Sequence, residues 1–377
     1  MRFFGRTIFR KFLTAFGFLL LIFFGLGFAM GCCSFSASGF SGSASDHFDG
    51  ERFHNLETGE RNFGDVLKWW FERKRSDWVE VTNAELGAPP PKRVKEGEIR
   101  ATFVNHSTVL IQMDGLNILA DPIWSERAGP FAWAGPKRVR PPGIRFEELP
   151  PIDAVVISHN HYDHLDIPTL KRLSDAHKPK IFIGLGNGEY IKERGIENGS
   201  ELDWWQSARL SGAVTVTMVP ARHFSQRGFC DRNKTLWGGY VIEGNGGAVY
   251  FAGDTGFGSH FEKIRERFGG IRLAFLPIGA FRPEWFMGVV HLSPPQAVEA
   301  HKVLGAETSV AIHFGTFRLA DDGQNEPVEE LEKALKEKGV SKGNFWVLNF
   351  GEGRTLPNRR PATDESPALH PKEHLID

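Results

Sequence analysis

Residues 157–166 read Ile-Ser-His-Asn-His-Tyr-Asp-His-Leu-Asp. Three histidines and two aspartates fall within the eight residues 159–166, directly behind the apolar run Ala154-Val155-Val156-Ile157. A short apolar run before a polar cluster reads as a buried strand that ends in a loop. On such a loop the alternate residues His159 and His161 share one side. Asp163 and His164 then reach a second point nearby. Imidazole and carboxylate donors without thiolate suit Zn²⁺ at an open, catalytic site, and also Fe or Mn. The chain has three cysteines and no Cys-x-x-Cys, so a metal site has to use His and carboxylate.

Further donors stand behind other apolar runs. His223 follows Val214 to Val219. Asp254, in Gly253-Asp254-Thr255-Gly256, follows Ala248 to Phe251. His313 follows Ser309 to Ile312. In α/β folds the loops behind the strands carry function. A lone His behind a strand is more often a hydrogen-bonding residue than a ligand; the dense cluster at 159–164 separates metal binding from that reading.

Outward from this cluster the chain reads as α/β. Strands are predicted at Ile99–Val104, Val109–Met113, Asn117–Ala120, Ala154–Ile157, Lys180–Ile183, Val214–Val219, Tyr240–Glu243, Ala248–Phe251, Leu273–Pro277, Ser309–Ile312 and Phe345–Leu348. Helices are predicted at Asp166–Leu173, Phe261–Phe268, Ser293–Leu304 and Val328–Lys338. Strands come first, then strands alternating with helices, which places sheet inside and helices outside. Phe63 to Arg75 reads as an amphipathic helix, within a helical extension over residues 51–98 that packs on the core. The hydrolase-like body spans 99–353, and the polar, Pro-rich residues 354–377 read as a tail.

The start of the chain is a separate matter. Arg2, Arg6, Arg10 and Lys11 precede Phe12 to Gly31, twenty residues without a charge. A helix of that length rises roughly 30 Å, enough to cross a hydrocarbon core. Residues 1–31 are therefore expected to be an N-terminal membrane-anchor helix, with the basic flank cytoplasmic and the catalytic domain exported. A second reading is a lipoprotein signal, cleaved before Cys32. Residues 32–50, rich in Ser and Gly, read as a linker. The net charge of −1 gives no support for nucleic acid as a partner.

With these residues in place, the sequence resembles the metallo-β-lactamase superfamily, whose hallmark is His-x-His-x-Asp-His followed by a distant His, Asp and His. Within it, the chain resembles the N-acyl-phosphatidylethanolamine-hydrolysing phospholipase D family. Phe103–Leu110, Ala120–Ser125, Gly135–Arg138, Leu149–Asp166 and Pro277–Met287 with His291 carry that narrower likeness. The resemblance implies an αββα sandwich with two Zn²⁺ at one edge. His159, His161 and His223 would hold the first ion. Asp163, His164 and His313 would hold the second, with Asp254 bridging. It also implies His291 as an active-site residue and a homodimer. Asp163 is a candidate proton carrier, and Asp121 and His106 are candidates for orienting the ligand imidazoles.

The implied reaction is hydrolysis of N-acyl-phosphatidylethanolamine to phosphatidic acid and an N-acylethanolamine at a membrane. The segments Phe131-Ala132-Trp133 and Trp285-Phe286-Met287 are expected either to line an acyl groove or to lie in the core. Two other functions stand beside this one. A hydrolase of the same fold could act on a lactone or another phosphodiester. A non-catalytic metal-binding membrane protein would keep the fold, but its usual mark, a missing ligand position, is not seen.

Overall fold

The computed structural model of the chain describes Thr14 and residues 16–23, 25–27, 35–57, 59 and 61–357. In chain order the strands are β1 Ile99–Asn105, β2 Thr108–Met113, β3 Leu116–Ala120, β4 Ala154–Ile157, β5 Lys180–Gly184, β6 Gly199–Leu202, β7 Ser207–Arg209, β8 Thr215–Val219, β9 Gly239–Gly244, β10 Gly247–Phe251, β11 Leu273–Pro277, β12 Thr308–Ile312, β13 Phe345–Trp346 and β14 Gly353–Thr355. They form two seven-stranded sheets, ordered β14-β1-β2-β3-β4-β5-β6 and β13-β12-β11-β10-β9-β8-β7. Each sheet begins as an antiparallel meander and continues as parallel strands. In the first, β1, β2 and β3 are antiparallel, and β3 to β6 run parallel. In the second, β7 to β10 are antiparallel, and β10 to β13 run parallel.

Side-chain alternation explains the layering. On β4, Ala154 and Val156 join the large core between the sheets, while Val155 and Ile157 join a second core with Leu170, Leu173 and Ile191. Both faces of β4 are buried, which is why the run AVVI is apolar throughout rather than alternating. Leu170 and Leu173 belong to α2, Ile167–His177, which covers the outer face of the first sheet. The second sheet is covered by Pro294–Leu304, which packs on β11 and on the helices His260–Phe268 and Glu326–Glu337. The expected two-sheet sandwich with helices outside is the observed architecture.

The structure corrects several boundaries. β6 (GSEL) and β7 (SAR) were not anticipated, because these partly exposed edge strands lack an apolar pattern. β13 stops at Trp346 rather than Leu348. The tail does not start at 354: Gly353–Thr355 pairs with β1, and the Leu356 amide donates to the Ile99 carbonyl. Residues from 358 onward lie outside the described set.

The Ser/Gly segment is not a free linker where it is described. Ala37 is buried, the Phe40 amide donates to the Lys234 carbonyl, and Phe48 and Phe53 are fully buried in the main core. Burying each phenylalanine contributes about 1.5–3 kcal/mol, enough to hold a Ser/Gly chain against the body. Cys230 is disulfide-bonded; Cys32 and Cys33, the other cysteines, lie outside the described residues.

The predicted amphipathic helix forms as α1, Phe63–Glu72, opened by a capping box in which Asn62 and Asp65 exchange hydrogen bonds. It does not bury its apolar face in the core as expected. Phe63, Val66, Leu67, Trp70 and Phe71 are all exposed. Trp69 alone of its aromatic residues docks, stacking on Phe286 at 4.9 Å. Among the described residues no helix is long and apolar enough to cross a membrane. Much of the expected anchor, including residues 1–13 and 28–31, lies outside the described set.

Candidate metal centre

Six strands deliver the site from their C-terminal ends. His106 follows β1, Asp121 follows β3, and His159, His161, Asp163 and His164 follow β4. His223, Asp254 and His313 follow β8, β10 and β12. Loops at the carboxyl ends of parallel strands converge there, so residues far apart in sequence meet. Two of these loops join the sheets directly. The His313 amide donates to the His106 carbonyl at 2.7 Å, and both residues take left-handed φ, +61° and +49°. Asp121 is left-handed too, at +40°. Such conformations are costly for residues with a Cβ and concentrate where a site needs particular side-chain directions.

All seven residues named as ligands come together. One group is His159, His161 and His223: His161 Nδ1 lies 2.8 Å from His159 Nε2 and 3.3 Å from His223 Nε2. A second group is His106, Asp163, His164 and His313. Asp163 Oδ2 lies 3.3 Å from His164 Nε2 and 3.5 Å from His313 Nε2. Asp254 Oδ2 stands between the groups, 3.2 Å from His164 Nε2, 3.1 Å from His313 Nε2 and 3.9 Å from His223 Nε2.

These residues fit a metal ion. Three imidazole nitrogens of the first group converge on one another, a donor set that suits a cation. His164 Nε2, His313 Nε2 and Asp254 Oδ1 are buried without a hydrogen bond. Buried polar atoms without a partner are rare and call for one.

The surroundings set the protonation. Burial pushes His161 down to about 4 and lowers His159 and His223 well below their usual value, so all three are neutral, as ligands must be. Burial works against charge on Asp163 and Asp254 as well. The His164 charge and neighbouring imidazoles outweigh it and hold both well below the usual carboxylate range. Burial also opposes charge on His164 and His313, but Asp254 and its neighbours prevail; His164 is raised strongly and His313 to about 9.

Second contacts orient the rings. His164 Nδ1 donates to Asp121 Oδ2 at 2.7 Å, and His223 Nδ1 donates to the Val290 carbonyl at 2.9 Å. Ser158, which the sequence did not single out, joins His159 Nδ1 to Asp121: its Oγ lies 2.9 Å from the former and donates to Oδ2 of the latter. His106 Nε2 donates to Asp163 Oδ2 at 2.9 Å. Asp121 thus contacts a cluster imidazole, as expected of it, whereas His106 contacts the Asp163 carboxylate rather than an imidazole. His291 closes the site, its Nδ1 3.8 Å from Asp254 Oδ2 and buried without a hydrogen bond. Asp166, the last residue of the opening cluster, turns away and binds Ser125 and Thr169.

A cavity of about 500 Å³ opens on the centre. His161, Asp163, Asp254 and His291 form its floor, and Val66, Trp69, Phe224, Phe286, Met287 and Leu319 form apolar walls. Phe286 and Met287 thus line the groove as one expectation had it. Phe131 does not: it lines a separate cavity with Tyr162 and Arg227, and Trp133 is exposed. Arg61, Phe224, Gln226 and Arg232, which the sequence does not single out, also line the site. None of them belongs to a motif that chemistry would flag.

The sequence profile of the β-lactamase superfamily domain matches residues 116–314. An N-acyl-phosphatidylethanolamine-hydrolyzing phospholipase D 1 of Caenorhabditis elegans is 41% identical over 269 residues, covering 68% of this chain and 76% of that protein. The chain belongs to the metallo-β-lactamase superfamily, in its N-acyl-phosphatidylethanolamine-hydrolysing phospholipase D-like family. A mitochondrial phospholipase D of the same description from Saccharomyces cerevisiae is 34% identical, covering 71% of this chain and 59% of that one. A metallohydrolase structure from Ignicoccus hospitalis superposes with a TM-score of 0.51 at 25% identity, covering 69% of this chain and 99% of that chain. The superfamily assignment makes this chain a metal-dependent hydrolase.

Proposed function

We propose that this protein is a dinuclear phosphodiesterase of phospholipase D type that hydrolyses N-acyl-phosphatidylethanolamine to phosphatidic acid and an N-acylethanolamine. The observation that carries the proposal is the apolar cavity whose floor is the His/Asp centre. A polar substrate would have no use for walls of Trp69, Phe224, Phe286 and Leu319, whereas an acyl chain would. The activity for which the nematode and yeast relatives are named points the same way. The exposed face of α1, which lends Phe63 and Val66 to the cavity and also exposes Trp70 and Phe71, supports a bilayer as the source of substrate.

Two ions, Zn²⁺ by the donor set, with Fe or Mn as alternatives, would be held by His159, His161 and His223 and by Asp163, His164 and His313, with Asp254 shared. When bound, such ions supply positive charge that acidifies water and offsets charge developing on the phosphate. The chain's own residues do the rest. His106 holds the Asp163 carboxylate in one orientation, facing the cavity, where it can take a proton from water or return one to the leaving alcohol. His291, pushed down to about 3 by burial and so neutral, presents its unpartnered Nδ1 to the same space. The walls exclude bulk water from the reacting phosphate.

The test is a metal count on the full chain, with assays on N-acyl-phosphatidylethanolamine, phosphatidylcholine, a lactone and bis-p-nitrophenyl phosphate. Two metals per chain with release of N-acylethanolamine, abolished in His161→Ala, is the expected result. Turnover of only the lactone or the simple diester would discard the lipid substrate. Retention of metal and activity by His161→Ala would discard the mechanism.

A further inference from the structure

The cavity that opens on the metal centre also has a basic part. Arg61 and Arg232 both line it, and both lie over the Phe224 ring, with Cζ 5.4 Å and 4.4 Å from the centroid. Phe224 in turn packs on His161 at 4.5 Å and on His223 at 4.8 Å. The two guanidinium groups therefore stand one aromatic ring away from two ligand imidazoles. Arg61 also lies 4.4 Å from the Phe286 centroid, held between two rings.

Arg61 forms no ion pair among the described residues. Its hydrogen bonds are long ones, from Nη1 to the Phe286 carbonyl at 3.5 Å and to Met287 Sδ at 4.0 Å. A guanidinium has five N–H donors in a fixed fork, so most of this one is left for a ligand. The carboxylate that acts on it electrostatically, Asp65, accepts from the Asn62 amide in the helix cap. Burial, and then the Arg232 charge, lower Arg61 to about 10, so it keeps its charge at neutral pH while facing a like charge. Its fork, fixed by two rings and aimed into a cavity, matches an oxyanion.

We propose that Arg61, reinforced by Arg232, is the specificity determinant of this site: it engages the phosphate oxygens of net-anionic phosphodiesters and disfavours substrates that carry an ammonium headgroup. An N-acylated ethanolamine headgroup has lost its positive charge; the headgroups of phosphatidylethanolamine and phosphatidylcholine keep theirs. Attraction for the first and repulsion of the others come from the same charge. The substrate class rests on the phosphodiesterase reading above, whereas the anion site itself does not.

The experiment uses the full chain, metal-loaded, as wild type, Arg61→Gln, Arg61→Lys and Arg232→Gln. Inorganic phosphate binding is measured by calorimetry. The ratio of kcat/KM for bis-p-nitrophenyl phosphate to that for p-nitrophenyl phosphorylcholine is measured beside it. Arg61→Gln should weaken phosphate binding and lower that ratio by about 10-fold each, with Arg61→Lys intermediate and metal content unchanged. Arg232→Gln should move both in the same direction, and it carries the test if Arg61→Gln does not fold. Equal phosphate affinity in all four proteins, or an unchanged ratio, overturns the inference. If the variants shift as expected but wild type leaves N-acyl-phosphatidylethanolamine intact, the lipid reading falls and the anion site stands. If the lipid is hydrolysed with the same preference over phosphatidylethanolamine in wild type and Arg61→Gln, the reverse holds.

Discussion

Asp121 Oδ2 accepts a hydrogen bond from His164 Nδ1 at 2.7 Å, with both side chains fully buried. The same carboxylate takes the Ser158 amide at 2.7 Å and the Ser158 hydroxyl at 2.5 Å. It thereby fixes the His164 ring with Nε2 turned to the centre, and through Ser158 it reaches His159. Asp121→Asn keeps the shape but can no longer accept at every contact. It should weaken metal binding about 10- to 100-fold, read by competition with a chromophoric chelator. Unchanged affinity would show that ring orientation is set elsewhere.

Gly253 precedes Asp254 with φ at +61°, and a Cβ there would lie 2.4 Å from Ser158 Cβ. Gly253→Ala therefore strains its own backbone and pushes on the residue that holds Asp121. A loss of about 1–3 kcal/mol in denaturant unfolding is expected, together with weaker metal binding. Lowered stability with intact metal affinity would separate packing from the site.

Metal uptake should release protons. His313 at about 9 and His164, raised well above the usual imidazole value, carry protons in the metal-free protein at pH 7. His159, His161 and His223 are already neutral. Roughly two protons should leave on loading at pH 7, read by calorimetry in buffers of different ionisation enthalpy. Affinity should rise with pH above 7 and through about 9, as His313 gives up its proton. The sign for the metal-free fold is opposite. Protonation of a group raised from 6.5 stabilises fully below that pH, and the benefit is lost as the pH climbs through about 9. Buffer-independent heats would refute the assignment.

His47 ties the N-terminal segment to the body. Its ring stacks on Trp204 at 4.5 Å, and Nε2 lies 2.8 Å from Asp203 Oδ1. Burial lowers its affinity for a proton, but Asp203 and Asp46 together raise it above the ordinary value. Its ionic contribution is therefore complete below pH 6.5 and fades as the pH passes the raised value. His47→Gln should cost on the order of 1 kcal/mol at pH 6 and less at pH 9, by thermal unfolding. A difference independent of pH would leave stacking alone as the cause.

The ligand cluster was legible because its chemistry is local: His159, His161, Asp163 and His164 sit within six residues, and the apolar run before them marks a strand. His223, Asp254 and His313 were legible one step less directly, as lone donors behind apolar runs that the family likeness then joined. Arg61 and Arg232 were not legible at all. Each is an ordinary cation in a polar stretch, and only the ring of Phe224 brings them together. Ser158 was equally silent, since a serine before a histidine has no signature until an aspartate 37 residues away turns toward it.

Apolar periodicity alone located the strands of both sheets except the polar edges β6, β7 and β14, because burial on a pleated sheet demands apolar side chains and an exposed edge does not. It likewise predicted α1 from its apolar stripe, yet that stripe faces outward, since periodicity records that a face is apolar and not what covers it. The sequence by itself thus determined the layers, the donor set and the family. The tertiary structure decided which groups orient the donors, and that Arg61 and Arg232 line the same cavity. Those features depend on distances between loops of different strands, and only the folded sheets set such distances.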